Sequence, residues 1–192
     1  MEVTTIALAI QNSWSEIEEW HRANAPRLLE NLQDGASDQQ IDEFEAATGV
    51  SLPEDYKASL KLHNGDVYIY DYQYLSLDGV LNKWLMMTHL SADGVFDGRN
   101  PVDAGGGVIQ NTWWQRGWVP FAVDGGGNMI CIDLAPAANG IVGQLLYMEL
   151  QSGPGISQYK SFREWLERYR DDLHRGFYTV DEDGYLVERN DS

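Results

Sequence analysis

The sequence predicts an α+β domain in which a mostly antiparallel sheet is covered by helices. Three observations point there. Helix start and stop signals crowd the first third of the chain and recur near its end, while the middle holds β-rich runs joined by hairpin-type turns. No strand-helix-strand unit repeats, which argues against a parallel doubly wound sheet. No internal repeat or linker divides the 192 residues. Residues 1–192 therefore read as one domain, with a core over about 14–175 and a C-terminal extension over 176–192 that can form a hairpin.

Ser13-Trp14-Ser15-Glu16 has the form of a capping box and predicts a helix starting at Ser13. Pro26 disfavours helical geometry at Ala25, so this helix stops there. A short second helix restarts with Pro26 in its first turn and Leu28, Leu29 and Leu32 on its apolar face. Ser37 with Gln40 caps a third helix whose Ile41, Phe44 and Ala47 or Thr48 share a face and whose end suits Gly49. Pro53 opens a fourth, with Tyr56, Leu60 and His63 along one side and Asn64-Gly65 closing it.

The period then changes to two. Val67, Ile69, Leu75 and Leu77 alternate with Tyr68, Tyr70, Tyr72 and Tyr74, as one strand or a bent pair. Leu81, Trp84, Leu85 and Thr88 return to helical spacing. Residues 91–107 form a long Gly- and Asp-rich loop, a length at which loops are often functional. Residues 118–123 and 129–134 are β-rich runs separated by Asp124-Gly125-Gly126-Gly127-Asn128, a hairpin signal. Residues 143–150 predict a further strand. Ser161 and Glu164 cap a helix with Phe162, Trp165, Leu166, Tyr169 and Leu173 on one face; Gly176 ends it, and residues 177–187 suit a small hairpin turning at Asp183-Gly184.

Thirty acidic against thirteen basic residues give a net charge of −17. Residues 1–60 alone hold twelve acids and three bases. Such a field repels nucleic acid and anionic lipid and speeds encounter with cationic partners, although acidity also serves solubility alone. The opening residues lack a basic n-region and their apolar run is far too short to span a bilayer, so a cytoplasmic protein is expected. The single cysteine, Cys131, excludes an intrachain disulfide.

Several stretches resemble the SUKH superfamily, which comprises cell-wall regulators of the Smi/Knr type and bacterial immunity proteins. The first runs through Ile41-Asp42-Glu43-Phe44-Glu45, Gly49, Leu52-Pro53-Glu54-Asp55-Tyr56 and His63-Asn64-Gly65. The second comprises Trp113-Trp114, Trp118-Val119-Pro120-Phe121-Ala122, Asp124, Gly127-Asn128, Cys131-Ile132-Asp133-Leu134, Pro136, Gly140 and Gly143-Gln144; the third is Ser161-Phe162 with Trp165-Leu166. The resemblance implies an α+β fold, no enzymatic activity and a role in binding proteins. Bacterial members neutralise toxins, often nucleases, and fungal members are regulatory scaffolds.

Candidate chemistry is sparse, and neither a catalytic residue nor a cofactor or metal site is expected. Cys131 lies inside an apolar strand, where a thiol is inert. His21, His63, His89 and His174 are too scattered for zinc. Asp181-Glu182-Asp183-Gly184 opens like a calcium loop but has Gly at the fourth place and Ser192 at the twelfth. The glycine triples at 105–107 and 125–127 lack the Lys-Ser/Thr of a phosphate loop.

Binding is therefore the expected function. In one regular strand Tyr68, Tyr70, Tyr72 and Tyr74 would line one face with Asp66, as an amphipathic aromatic surface, with at least two of the four packed beneath helices. Trp118 belongs to the core, whereas the adjacent Trp113 and Trp114 point different ways, leaving one exposed. The expected partner contacts are Asp66, Tyr68, Tyr70, Asp71 and Tyr72, then Asp93, Asp97 and Asp103 in the long loop, with Trp113 and Trp114. The expected partner is a basic toxin domain, neutralised by an immunity-type protein; the alternative is a regulatory scaffold of cell-wall assembly, for which longer disordered extensions are expected.

Overall fold

The computed structural model describes residues 2–99, 106–182 and 184–189; Asp103, Gly105 and Asp183 lie outside the described residues. Helix α1 runs over Glu2–Asn24, eleven residues earlier than the capping motif at Ser13 suggests. The reason lies in its stripe: Ile10, Ser13, Trp14, Ile17 and His21 recur at helical spacing and are all buried, so tertiary packing extends the helix through a β-branched start. Ser13 sits inside the helix, and its hydroxyl accepts from Arg170 Nη1 at 3.3 Å. Pro26–Leu29 forms a 3-10 turn.

Helix α2 (Asp38–Thr48) has the expected reciprocal capping box between Ser37 and Gln40, and closes on Gly49 at φ 74°. Helix α3 (Glu54–Leu62) ends at His63 rather than at Gly65. Gly65 instead adopts φ 84° where a Cβ would stand 2.1 Å from the Ser76 nitrogen, so only glycine permits this crossing of two backbones. Helix α4 (Leu77–Ala92) begins with Leu77, which alternation alone had placed in a strand, because Ser76 caps it. Helix α5 (Phe162–His174) starts at Ser161, whose hydroxyl accepts from Glu164 N at 3.1 Å.

The strands β1 (Val67–Ile69), β2 (Tyr72–Tyr74), β3 (Trp118–Val123), β4 (Met129–Asp133), β5 (Gln144–Glu149) and β6 (Gly153–Ile156) form one antiparallel meander in sequence order. Strand β6 reads as loop in the sequence because Gly153-Pro154-Gly155 breaks most strands; it survives at the sheet margin, where a missing ladder donor is tolerated. Strands β7 (Tyr178–Val180) and β8 (Leu186–Glu188) make a separate hairpin.

Every residue of β3 and β4 is buried, so the middle of the sheet is covered on both faces. Helix α1 packs against α3 and α5, and α4 against β3. Tyr56, Tyr74, Phe121, Phe162 and Trp165 form an aromatic cluster between helices and sheet, with Phe121 and Trp165 centroids 5.0 Å apart. Within the core Trp14 Nε1 donates to Ser59 Oγ at 2.8 Å, and Ser59 Oγ lies 3.2 Å from Tyr74 OH. Two buried carboxylates tie elements together. Asp55 accepts from Tyr56 N and from Arg163 N at the start of α5; Asp133 accepts from Trp118 Nε1, Ala135 N and Gln144 Nε2 across three strands.

Candidate functional site: an open polar groove

The tyrosines do not share a face. Between β1 and β2 the chain turns in two residues, Tyr70-Asp71, with Tyr70 at φ 55°, so the single aromatic row is folded in half. Tyr74 is fully buried. Tyr70 packs on Trp165, Tyr169 and Tyr178, and its hydroxyl donates to Asp172 at 3.2 Å. Burial, with the nearby Tyr159 and Asp172, raises the Tyr70 pKa far above its ordinary value. Tyr72 is half-buried, Asp71 is exposed at the turn, and Tyr68 stands 51% exposed.

Trp113 and Trp114 are both buried, at 7% and 4%, which corrects the expectation that one is free for a partner. The segment 106–117 is a series of turns rather than an extended chain, so alternation does not apply. Trp113 stacks on Phe96 and fits against Gly153, where a Cβ would be 3.1 Å from its ring. Trp114 meets Trp118 edge-on and donates to Thr88. Asp93 and Asp97 are exposed in the turns after α4, well separated in sequence from β1.

Asp66 and Tyr68 come together in a different place. They line an open groove of about 1010 Å³ whose walls are Arg27, Leu28, residues 30–35, Gln40 and Asn64 from the helical side, and Gly184 and Tyr185 from the β7–β8 hairpin. Asp66, at φ 62°, accepts from Gln33 Nε2 at 2.8 Å and from Gln73 Nε2 at 3.4 Å, so both carboxylate oxygens are oriented. Glu30 and Asp34 add two exposed carboxylates and Arg27 a cation. Sequence reasoning misses Arg27, Glu30, Gln33, Asp34 and Tyr185. They sit in irregular segments without periodicity, and only the fold brings residues some 150 positions apart to one rim.

The thiol of Cys131 is fully buried in β4, and burial pushes its pKa well up, aided by Asp133, so it is not a ready nucleophile. His63 Nε2 is 2.9 Å from Glu18 and His21 Nε2 is 2.9 Å from the Tyr169 hydroxyl. Among the described residues no group of three or more His, Cys, Asp and Glu is placed to hold a metal ion, and no helix is long and apolar enough to cross a membrane.

These features define the class: an α+β domain with a six-stranded meander, helices packed on it, and an open polar groove beside its first strand. Residues 35–168 match the SMI1/KNR4 family (SUKH-1), and the chain belongs to that family. It is 22% identical over 213 residues to a glucan synthesis regulatory protein of Neurospora crassa, covering 91% of this chain and 40% of that protein. It is 26% identical over 193 residues to the cell wall biosynthesis/cell cycle regulator smi1 of Schizosaccharomyces pombe, covering 91% and 38%. Human F-box only protein 3 is 29% identical over 102 residues, 53% of this chain and 19% of that protein. The chain thus spans about two fifths of the length of the two fungal relatives.

Proposed function

We propose that this protein is a non-catalytic protein-binding module that engages a cationic region of a partner through the groove beside β1. The observation that carries the reading is the groove itself: wide, open and mostly polar, where a small-molecule pocket is enclosed and mainly apolar. Glu30, Asp34 and Asp66 lie along it in a chain of net charge −17, and Tyr68 supplies the kind of exposed aromatic that anchors interfaces. The names of the fungal relatives favour a regulatory use of this binding, in control of cell-wall synthesis. The large negative charge favours a second use, neutralisation of a basic toxin domain by an immunity-type protein.

The test is retention from native lysate on immobilised protein at low salt, run beside a Glu30→Gln, Asp34→Asn, Asp66→Asn variant of unchanged thermal stability. The reading expects one or more basic proteins held by the natural chain, released by salt and lost from the variant. Equal retention by both removes the groove from the interface. A stoichiometric toxin domain whose activity is blocked selects the antidote; wall-synthesis proteins select the regulator.

A further inference from the structure

Strand β1 is the first strand of the meander, and among the described residues no strand lies on its outer side. Because the turn Tyr70-Asp71 has two residues, Ile69 and Tyr72 are the hydrogen-bonded pair, and the alternation of an antiparallel ladder turns the N–H and C=O of Tyr68 outward, away from β2. The chain already shows what lies beside that edge. Just upstream, Gln33 N donates to Gly65 O at 3.3 Å and Asn64 N donates to Asp34 O at 3.2 Å, two backbone bonds that hold 33–34 against 64–65. Upstream of residue 33 no strand forms, because Glu30 N bonds to Arg27 O and Leu32 N to Leu29 O, curling the segment into the 3-10 turn, which stays beside β1 without joining its ladder. The groove lies between that curled segment and the start of β1.

We propose that an extended segment of the partner, carrying lysine or arginine at alternate positions, lies in this space as an added strand on β1. This rests on the reading of the groove as the binding surface and specifies the mode. Strand addition fits a groove bounded on one side by a free sheet edge, since main-chain bonds supply affinity and alternate side chains supply choice. The two-residue period of an extended chain presents every second side chain to the same wall, so a basic residue at alternate positions meets Asp66 and Glu30 while those between turn away. The short length of β1, three residues, limits the added pairing to a few bonds, which suits reversible binding.

The probe is a blocked, fluorescein-labelled Lys-Val-Lys-Val-Lys-Val peptide, compared with the same peptide N-methylated at alternate amides, which keeps the charge and removes strand donors. Anisotropy is expected to give binding of the first and a loss of up to about tenfold for the second, the loss of the backbone hydrogen bond to the Tyr68 carbonyl. In amide spectra the Tyr68 N–H is expected to move on binding. Tyr68→Ala keeps the outward N–H and C=O and should retain the effect of N-methylation; Tyr68→Pro removes only the outward N–H and should weaken binding of the unmethylated peptide. Should Tyr68→Pro not fold, the N-methylated series and the Tyr68 amide decide alone. No binding at millimolar peptide, equal binding of the two peptides, or an unmoved Tyr68 amide at saturation overturns strand addition. The Glu30→Gln, Asp34→Asn, Asp66→Asn variant separates the two ideas. If it loses the peptide while N-methylation costs nothing, the groove binds but not by strand addition; if it binds both peptides as the natural chain does, the groove reading falls too.

Discussion

His21 makes stability depend on pH in a way that can be worked out beforehand. It is fully buried on α1 against α5, with Nε2 2.9 Å from the Tyr169 hydroxyl and no partner at Nδ1 among the described residues. Burial lowers its pKa from 6.5 to about 4, so the folded state holds it neutral where the unfolded chain would already protonate. The sign follows: its folded pKa is depressed, so the fold keeps full stability above the unfolded pKa and loses it as pH falls from about 6.5 towards about 4. The full span corresponds to about 3 kcal/mol, and roughly 2 kcal/mol of it is lost between pH 7 and pH 5. Urea unfolding at these two pH values, for the natural chain and for His21→Gln, isolates the contribution, because other groups titrate in both. Gln can still accept from Tyr169 but carries no titrating proton. The natural chain is expected to lose roughly 2 kcal/mol more than the variant over this interval. Equal losses would refute the reasoning, and so would a measured His21 pKa near 6.5 in the folded protein.

Three further outcomes are expected. Ser59→Ala leaves Trp14 Nε1 and Tyr74 OH without their shared buried partner, and should cost about 1–3 kcal/mol in denaturant unfolding; a neutral result would mean the network contributes nothing net. Asp66→Asn with Asp71→Asn should slow association with a cationic partner and flatten its salt dependence in stopped-flow measurements, and an unchanged rate takes these residues out of the encounter. Asn tolerates the left-handed backbone at position 66 but keeps only one of the two acceptors that Gln33 and Gln73 use, so the comparison is made at unchanged thermal stability. Cys131 should resist alkylation at neutral pH in the folded protein and react only on unfolding; rapid modification would reopen the question of a reactive thiol.

What the sequence makes legible here follows physical locality. The capping box at Ser37, the Ser161 cap, whose Glu164 reaches Lys160 N instead of closing a box, the glycine stops at Gly49 and Gly176, and the Asp124–Asn128 turn depend on a few adjacent residues, and each sits where local chemistry puts it. The failures are places where distant packing overrides a local signal. Ser13 has a capping sequence but is enclosed by α5, and the Gly153-Pro154-Gly155 strand exists only because β5 offers it an edge. The tyrosine row between 68 and 74 has a period of two through its whole length, and periodicity is blind to a two-residue turn set inside it. Of the expected contacts, Asp66 and Tyr68 reach the groove, while Trp113 and Trp114 go inside because the turns of 106–117 remove the alternation that would have separated them.

The residues that carry the family resemblance turn out to be clamps rather than contacts. Asp55 joins α3 to α5, Asn64 accepts from Leu77 N at the start of α4, Gly65 lets the chain cross Ser76, and Asp133 with Gln144 and Trp118 locks β3, β4 and β5. Each is a buried or half-buried polar group or a backbone crossing whose replacement leaves an orphan or a clash, so these positions of the signature serve the fold. The groove shares Asn64 with them but draws mainly on Arg27, Leu28, residues 30–35, Asp66, Tyr68 and Tyr185, which lie outside those stretches and are mostly exposed. Exposed positions of this kind can change charge and size within about 0.5 kcal/mol of stability. A domain built this way can hold its clamps constant and carry different groove chemistry, so shared fold and different partners are compatible. The charge and shape of the groove, rather than the family signature, are where the partner of this chain has to be sought.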